Sequence, residues 1–371
     1  MQLTHLEVHN LRSLQSAALD LPAAGAWFVG PNGAGKTSLL EAACLLGFGR
    51  SFRGRVADGL IRRGAAELQV VARWLDESGR ARVAGLRHSG VAWEARVDGS
   101  PVATLSELAA PFPALVFHPE SSGLVTGPAE NRRRSLDWLA FHVEHRFSDV
   151  SRRYVRAQKQ RNALLRSGAT DAEFEGWEAE LGDTAEALTA SRESALGVLR
   201  PSFEAAWAEL MPESDVPEIS LRPGWRRAES GLADLLLLNR QRDRELGYTT
   251  VGPHRADIDL GEPLGVASSL LSRGQAKLVA LCLVMAQAEA LRRWSGAKAV
   301  LLFDDLRAEL DAQRFERVLG WVARHGYQAL ITGTALDPQA RSLLPEMGLF
   351  HVEHGGLVNP GDSPVRPGRP L

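Results

Sequence analysis

Gly30-Pro31-Asn32-Gly33-Ala34-Gly35-Lys36-Thr37, with Ser38 behind it, is the stretch that decides the architecture of this chain. Two glycines bracket four residues and are followed at once by Lys-Thr, the spacing of a phosphate-binding loop. Glycines let successive backbone N–H groups turn inward around phosphate oxygens. Lys36 sets a point charge on the β- and γ-phosphates, and Thr37 offers a hydroxyl to Mg²⁺. The surroundings agree. Ala26-Trp27-Phe28-Val29 reads as a buried strand entering the loop, and Lys36 to Leu46 is apolar and free of proline, as a helix leaving it would be. That helix adds the positive end of its dipole. The expectation is a nucleoside triphosphate held with Mg²⁺ by residues 30–38.

The second half of the site lies far along the chain. Val300-Leu301-Leu302-Phe303 is a short apolar strand ending in Asp304 and Asp305. A buried strand can deliver one carboxylate to the Mg²⁺ shell from its C-terminal end, so Asp304 is the expected magnesium residue. Asp305 would orient or deprotonate the attacking water, which makes Asp305, Lys36 and Asp304 the expected catalytic set. Ahead of this strand, Leu271-Ser272-Arg273-Gly274-Gln275 opens an apolar helix predicted from Arg273 to about Trp294. A serine hydroxyl beside helix N-terminal amides suits an anion, although a serine there also serves as an ordinary helix cap. More than half of the chain separates Thr37 from Asp304, so something large is inserted between the halves.

The texture of that insertion changes partway. Leu6 and Val8, then Leu68, Val70, Ala72 and Trp74, then Val91, Trp93, Ala95 and Val97 alternate with period two, with turns at 76–79 and 98–99. Ala114 to Phe117 is one more buried strand. From residue 128 the spacing is helical, over 130–147, 151–167, 171–212 and 229–246, with breaks expected at Pro201, Pro212, Pro217 and Pro223. Strand character returns at Tyr248 to Val251, near Ile258, and at Lys298–Phe303 and Gln328–Thr332, with a helix over Asp311 to Ala323 between the last two. The expected organisation is an α/β head from 1–127 and 248–354, with a parallel core sheet plus an antiparallel β meander. An inserted α-helical lobe spans 128–247, and 355–371 is a disordered tail.

The bulk composition narrows the function. The chain is 44% hydrophobic and 24% charged with a net charge of −2, so any polyanion must be met by a local patch rather than a global field. Such a patch exists: residues 131–166 hold ten Lys or Arg against three Asp or Glu. Arg152, Arg156 and Lys159 share one helical face by their spacing and, with Arg132 and Arg133, are the candidate contacts to phosphates along a duplex. A solvated helix face would have the same composition. No apolar run reaches the length of a membrane span and the N-terminus is not a signal peptide. The two cysteines, Cys44 and Cys282, fit buried reduced thiols, and a cytoplasmic protein without membrane partners is expected.

Taken together, the loop, the Ser-x-Gly-Gln helix and the Asp-Asp strand resemble the ABC-type ATPase heads. Arg273 stands where that superfamily's Leu-Ser-Gly-Gly-Gln has its first glycine. The resemblance implies that Ser272, Gly274 and Gln275 close on the γ-phosphate held by a second copy, sandwiching two ATP molecules in a head-to-tail homodimer. Five further stretches select a branch: Gly49-Arg50-Ser51-Phe52-Arg53, Pro119-Glu120, Arg132 to Asp137, Gln160 to Leu165 and Gly252-Pro253-His254-Arg255-Ala256-Asp257. Together they resemble the RecF family, bacterial recombination mediators related to the SMC heads. That resemblance implies a DNA-dependent ATPase of slow turnover. It would bind double-stranded and gapped DNA, act with RecO and RecR, and indirectly help RecA to load. By the same resemblance Arg12 lies near the base, Glu120 near the metal, and Thr332 at the position where transporters carry a switch histidine. Ala308-Glu309-Leu310-Asp311 departs from the usual Ser-x-Leu-Asp and lacks the serine hydroxyl. The alternatives are a transporter subunit, whose signature follows the loop sooner, and a small-molecule P-loop enzyme, which leaves Ser272 to Gln275 unexplained. The chemistry of the His254-Arg255 pair assigns it no role.

Overall fold

A computed structural model describes residues 1–54, 56–265 and 267–358, apart from the side chains of Asp58 and Val358. The chain forms two compact units. One is Met1–Pro119 together with the chain from Gly296 onward, and the other is Glu120–Ser295.

The first unit carries two sheets of six strands each. The antiparallel one contains β1 (Gln2–Leu11), β2 (Leu14–Asp20), β4 (Leu68–Leu75), β5 (Ala81–His88), β6 (Trp93–Val97) and β7 (Ser100–Pro101), ordered β2-β1-β4-β5-β6-β7. The meander expected from period two is there with one more strand: β5 pairs β4 from Leu68↔His88 to Leu75↔Ala81, and Val91 lies outside β6 in an exposed loop. The other sheet runs β14-β13-β3-β12-β11-β8, built from β3 (Gly25–Val29), β8 (Ala114–Phe117), β11 (Val300–Phe303), β12 (Ala329–Gly333), β13 (Gly348–Glu353) and β14 (Gly356–Val358). All its pairings are parallel except β13 with β14. The predicted tail does not start at 355, because Gly356–Val358 pairs with β13; the rest of that expectation, 359–371, lies outside the described residues.

Between these sheets the helix α1 (Lys36–Phe48) touches strands of both. Every residue of it is buried but Thr37 and Phe48, and it is apolar nearly all round, as a helix with neighbours on both sides must be. A buried amide links the sheets as well. Gln328 accepts from Leu3 N–H at 2.7 Å and donates to Leu3 O at 2.7 Å and Pro22 O at 2.9 Å. The helices α2 (Leu105–Ala109), α8 (Leu306–Glu309), α9 (Ala312–His325) and α10 (Pro338–Leu343) complete this unit.

The second unit is helical: α3 (Ala129–Val143), α4 (Phe147–Ser167), α5 (Asp171–Leu210), α6 (Leu232–Leu246) and α7 (Arg273–Ser295), with a short antiparallel pair of β9 (Ser220–Arg222) and β10 (Asp257–Asp259). Four expectations change here. Pro201 does not break α5, whose 40 residues run through it. Leu196, Leu199, Phe203 and Trp207, buried on either side, hold the helix where local propensity would end it. Residues 248–251 form no strand. The boundary also moves, because α7 packs on α5 and α3 rather than joining the first unit. Gln287 on α7 donates to Ser135 Oγ at 2.9 Å, and Cys282 Sγ approaches Ala206 O at 3.8 Å. By length and apolar content α7 could cross a membrane, against the expectation of no such run, but 83% of its apolar window is buried inside the protein, which marks it as a core helix.

Candidate functional site

The phosphate loop leaves β3 and enters α1 as the glycine spacing requires. Gly35 has φ +112°, and a Cβ there would come within 2.9 Å of the Leu14 side chain, so only glycine is accommodated. The Lys36 ammonium, 6% exposed as a residue, donates to Gly30 O at 2.8 Å and Pro31 O at 2.9 Å. It is thus stored inside the loop, where phosphate oxygens would replace the two carbonyls. A cavity of about 270 Å³ lies over the loop. Asn32, Gly33, Gly35, Lys36, Thr37 and Ser38 line it, and so do Ser13, Arg53 and Asp305. Ala34 is buried, its N–H on Pro31 O, while Pro31 faces solvent. Sequence reasoning missed Ser13 and gave Arg53 no role, because their approach depends on how β1, β2 and the 49–54 segment fold back over the loop.

Thr37 and Asp304 meet as expected. Thr37 Oγ1 donates to Asp304 Oδ1 at 2.9 Å, and Thr332 Oγ1 donates to the same oxygen at 2.7 Å. Asp304 is buried, whereas Asp305 lines the cavity from a left-handed backbone conformation, φ +53°. Burial pushes the Asp305 carboxyl pKa up, the Asp304 charge adds to this, and Lys36 opposes it. An adjacent hydroxyl and carboxylate are hard oxygen donors that suit Mg²⁺. Among the described residues there is no cluster of three or more His, Cys, Asp or Glu to form a protein-only cage. Mg²⁺ ordinarily takes one or two protein ligands and completes its shell with water and phosphate, so this pair fits it.

The residues assigned by resemblance divide. Arg12 is turned onto α1, donating to the fully buried Glu41 from Nη2 at 2.9 Å. Glu41 also accepts from the Ser51 hydroxyl, and Arg53 reaches it at 3.7 Å. Arg12 thus compensates a buried carboxylate and does not line the cavity; Arg53 is the arginine that does. Thr332 is 1% exposed and lies behind the carboxylate pair, not against the cavity. Glu120 is an exposed residue that opens the second unit, its carbonyl accepting from Gly123 N–H.

In the second unit, the signature caps α7. Ser272 Oγ accepts from Gln275 N–H at 3.3 Å, and Gln275 Oε1 accepts from Ser272 N–H at 2.9 Å. The capping alternative is therefore real, yet it leaves something unexplained. Ser272, Arg273 and Gly274 are all exposed, and a Cβ on Gly274 would meet nothing within 4 Å. Among the described residues, nothing requires glycine at 274.

The basic segment is less basic at the surface than its composition suggests. Arg132 pairs with Asp257 at 2.7 Å and donates to Val125 O and Gly127 O, and Arg133 donates to Ala256 O at 2.6 Å. Both are committed inside the unit, which removes them from the expected phosphate contacts. Arg161 is fully buried, bonded to Glu178, Asp243, Thr249 and Leu236 O. Arg152, Arg156 and Lys159, by contrast, are exposed and line one shallow groove along α4 with Val155. Arg152 also pairs with Asp149 one turn away. The Gly-Pro-His-Arg stretch resolves as structure. His254 Nε2 lies 3.0 Å from Thr249 O, which only accepts, so Nε2 carries the proton and Nδ1 accepts from the Tyr154 hydroxyl at 2.6 Å.

These features define an ABC-type ATPase head with an attached helical unit, and comparison with known proteins places it further. The model of the RecF/RecN/SMC N-terminal domain family matches residues 2–342, and the chain belongs to that family, on its RecF branch. It is 44% identical, over 96% of its length and 99% of the relative's, to the DNA replication and repair protein RecF of Stenotrophomonas maltophilia (strain R551-3). It is 33% identical over 96% of its length to that of Vibrio campbellii, all of which is covered. Among solved structures, the recombination mediator protein RecF-ATP of the RecFOR pathway superposes with a TM-score of 0.84 at 24% identity, covering 96% of this chain and 97% of that one. An Smc head bound to the C-winged helix domain of ScpA superposes at 0.56 with 15% identity, covering 96% of each chain. Both likenesses bear on the fold.

Proposed function

We propose that the protein is an ATP-driven DNA clamp acting in recombinational repair of gapped DNA. The observation that carries this reading is the exposed Ser272–Gly274 surface, whose glycine meets no described residue that would require it to be one. An approach by an outside group, the γ-phosphate held on a second copy, supplies that reason. Gln275 would assist from the same helix end, and the dipole of α7 would favour the anion.

In each copy, β- and γ-phosphate oxygens draw Lys36 away from the Gly30 and Pro31 carbonyls. Thr37 and Asp304 would hold Mg²⁺, which would supply charge neutralisation on the phosphates. Asp305, whose carboxyl is made more basic by burial, orients the attacking water and accepts its proton. In each copy the α4 stripe of Arg152, Arg156 and Lys159 would meet the phosphates of the duplex. Hydrolysis would release it slowly. By family, the partners are RecR and RecO, with RecA loading as the outcome, in the cytoplasm.

ATP turnover measured with and without duplex DNA tests this reading. The wild type is expected to hydrolyse slowly and faster with duplex, and Lys36→Ala to lose nucleotide binding. Turnover indifferent to DNA but stimulated by a small-molecule acceptor would replace the clamp with a metabolic P-loop enzyme.

A further inference from the structure

Resting on the proposed ATP hydrolysis, we infer that Thr332 is a positioning residue that joins the Asp304 carboxylate to the backbone of Asp305, and that it does not touch nucleotide. A hydroxyl has one proton and two lone pairs. The Asp305 N–H donates to Thr332 Oγ1 at 2.9 Å, so the oxygen is already an acceptor there. Its single proton goes to Asp304 Oδ1 at 2.7 Å. Nothing remains to donate to a γ-phosphate, and the side chain is buried away from the cavity.

The backbone shows why a side chain is needed here. β11 and β12 pair from Leu301↔Ala329 to Phe303↔Ile331, and the ladder ends there. On the β8 side it continues one step, with Asp304 N–H on Phe117 O at 2.8 Å. On the β12 side the next N–H, that of Asp305, meets the Thr332 hydroxyl instead of a carbonyl. This is where the chain turns into the left-handed conformation of Asp305, a region that side-chain-bearing residues avoid. Thr332 therefore holds the turn that aims Asp305 at the cavity and ties it to the oxygen shared with Thr37.

The test compares wild type, Thr332→Val, Thr332→Ala and Thr332→Ser for ATP affinity and for single-turnover hydrolysis at saturating Mg²⁺. Valine keeps the shape and loses the hydroxyl. Hydrolysis is expected to fall about 10- to 100-fold in the valine and alanine variants with ATP affinity within about threefold, and serine to restore it. On an Asp305→Asn background the valine substitution should cost less than about threefold more, since the group it aims is already disabled. Wild-type turnover in both hydroxyl-free variants would overturn the inference. So would a serine variant as slow as valine, a full further loss on the Asp305→Asn background, or a loss confined to affinity, which would return Thr332 to nucleotide contact. A wild type that neither binds nor hydrolyses ATP overturns the proposed function and this role with it, whereas an active wild type with unaffected variants overturns only the role.

Discussion

Replacing Arg152, Arg156 and Lys159 by glutamine tests the DNA surface quantitatively. The three lie along one face of α4 over eight residues, seven steps and so roughly 10 Å of helix axis, which suits successive phosphates on one strand. Each phosphate neutralised releases counterions and contributes about 0.9 to the slope of log affinity against log salt. Three contacts give a slope change of about 2.7. Arg152 already pairs with Asp149, so its share is partial, and a change of about 2 to 2.7 is expected. Between 50 and 200 mM salt the wild type should then lose roughly 15- to 40-fold more affinity than the triple variant. The assay is fluorescence anisotropy of a labelled duplex, titrated across that salt range in the presence of ATP. A slope that stays within about 0.5 of wild type would show that α4 does not meet phosphates, and the groove would be only a solvated face.

Other outcomes follow from the helical unit and the loop. Arg161→Met should destabilise the second unit by about 3–5 kcal/mol, because it leaves the buried Asp243 carboxylate without its guanidinium. For a unit of this size that lowers the calorimetric midpoint by roughly 6–20 °C, and a shift under about 3 °C would contradict it. His254 and His142 are both pushed down by burial to about 4 from 6.5, so both fold neutral. The unfolded chain takes up their protons first, so stability falls as pH drops below 6.5 and levels off near 4. Each contributes about 1–2 kcal/mol of loss between pH 7 and pH 5, and His254→Asn should remove one share in denaturant melts at the two pH values. Thr37→Ala and Asp304→Asn should each cost Mg²⁺-dependent ATP affinity and little of the Mg²⁺-independent binding, read by calorimetry with and without chelator.

The loop and the carboxylate pair were legible because their chemistry fixes residue type at fixed spacing: glycine for a backbone that side chains would block, and aspartate at the end of an apolar strand. The charge-rich segment was only half legible. Counting Lys and Arg over 131–166 cannot tell Arg156, which faces solvent, from Arg161, which lies in a buried network on the same helix. Only the carboxylates of α5 and α6, distant in sequence, decide between them. Pro201 misled for a related reason, since packing from α5's neighbours outweighs a local breaker. The boundary at α7 was hidden because an apolar helix fits either unit by composition. The pairing of Arg12 with Glu41 was hidden too, because a lone acidic residue in an apolar helix does not show by composition which cation will meet it.

Mass by light scattering, with and without ATP and Mg²⁺, tests the central claim most directly. Without nucleotide the chain should scatter as a 40.3 kDa monomer, and with ATP as about twice that mass. Ser272→Arg, which fills the exposed signature, should stay monomeric with ATP while still binding it through Lys36. A wild type that remains at the monomer mass with ATP bound would contradict the account, and so would a Ser272→Arg variant that dimerises as well as wild type.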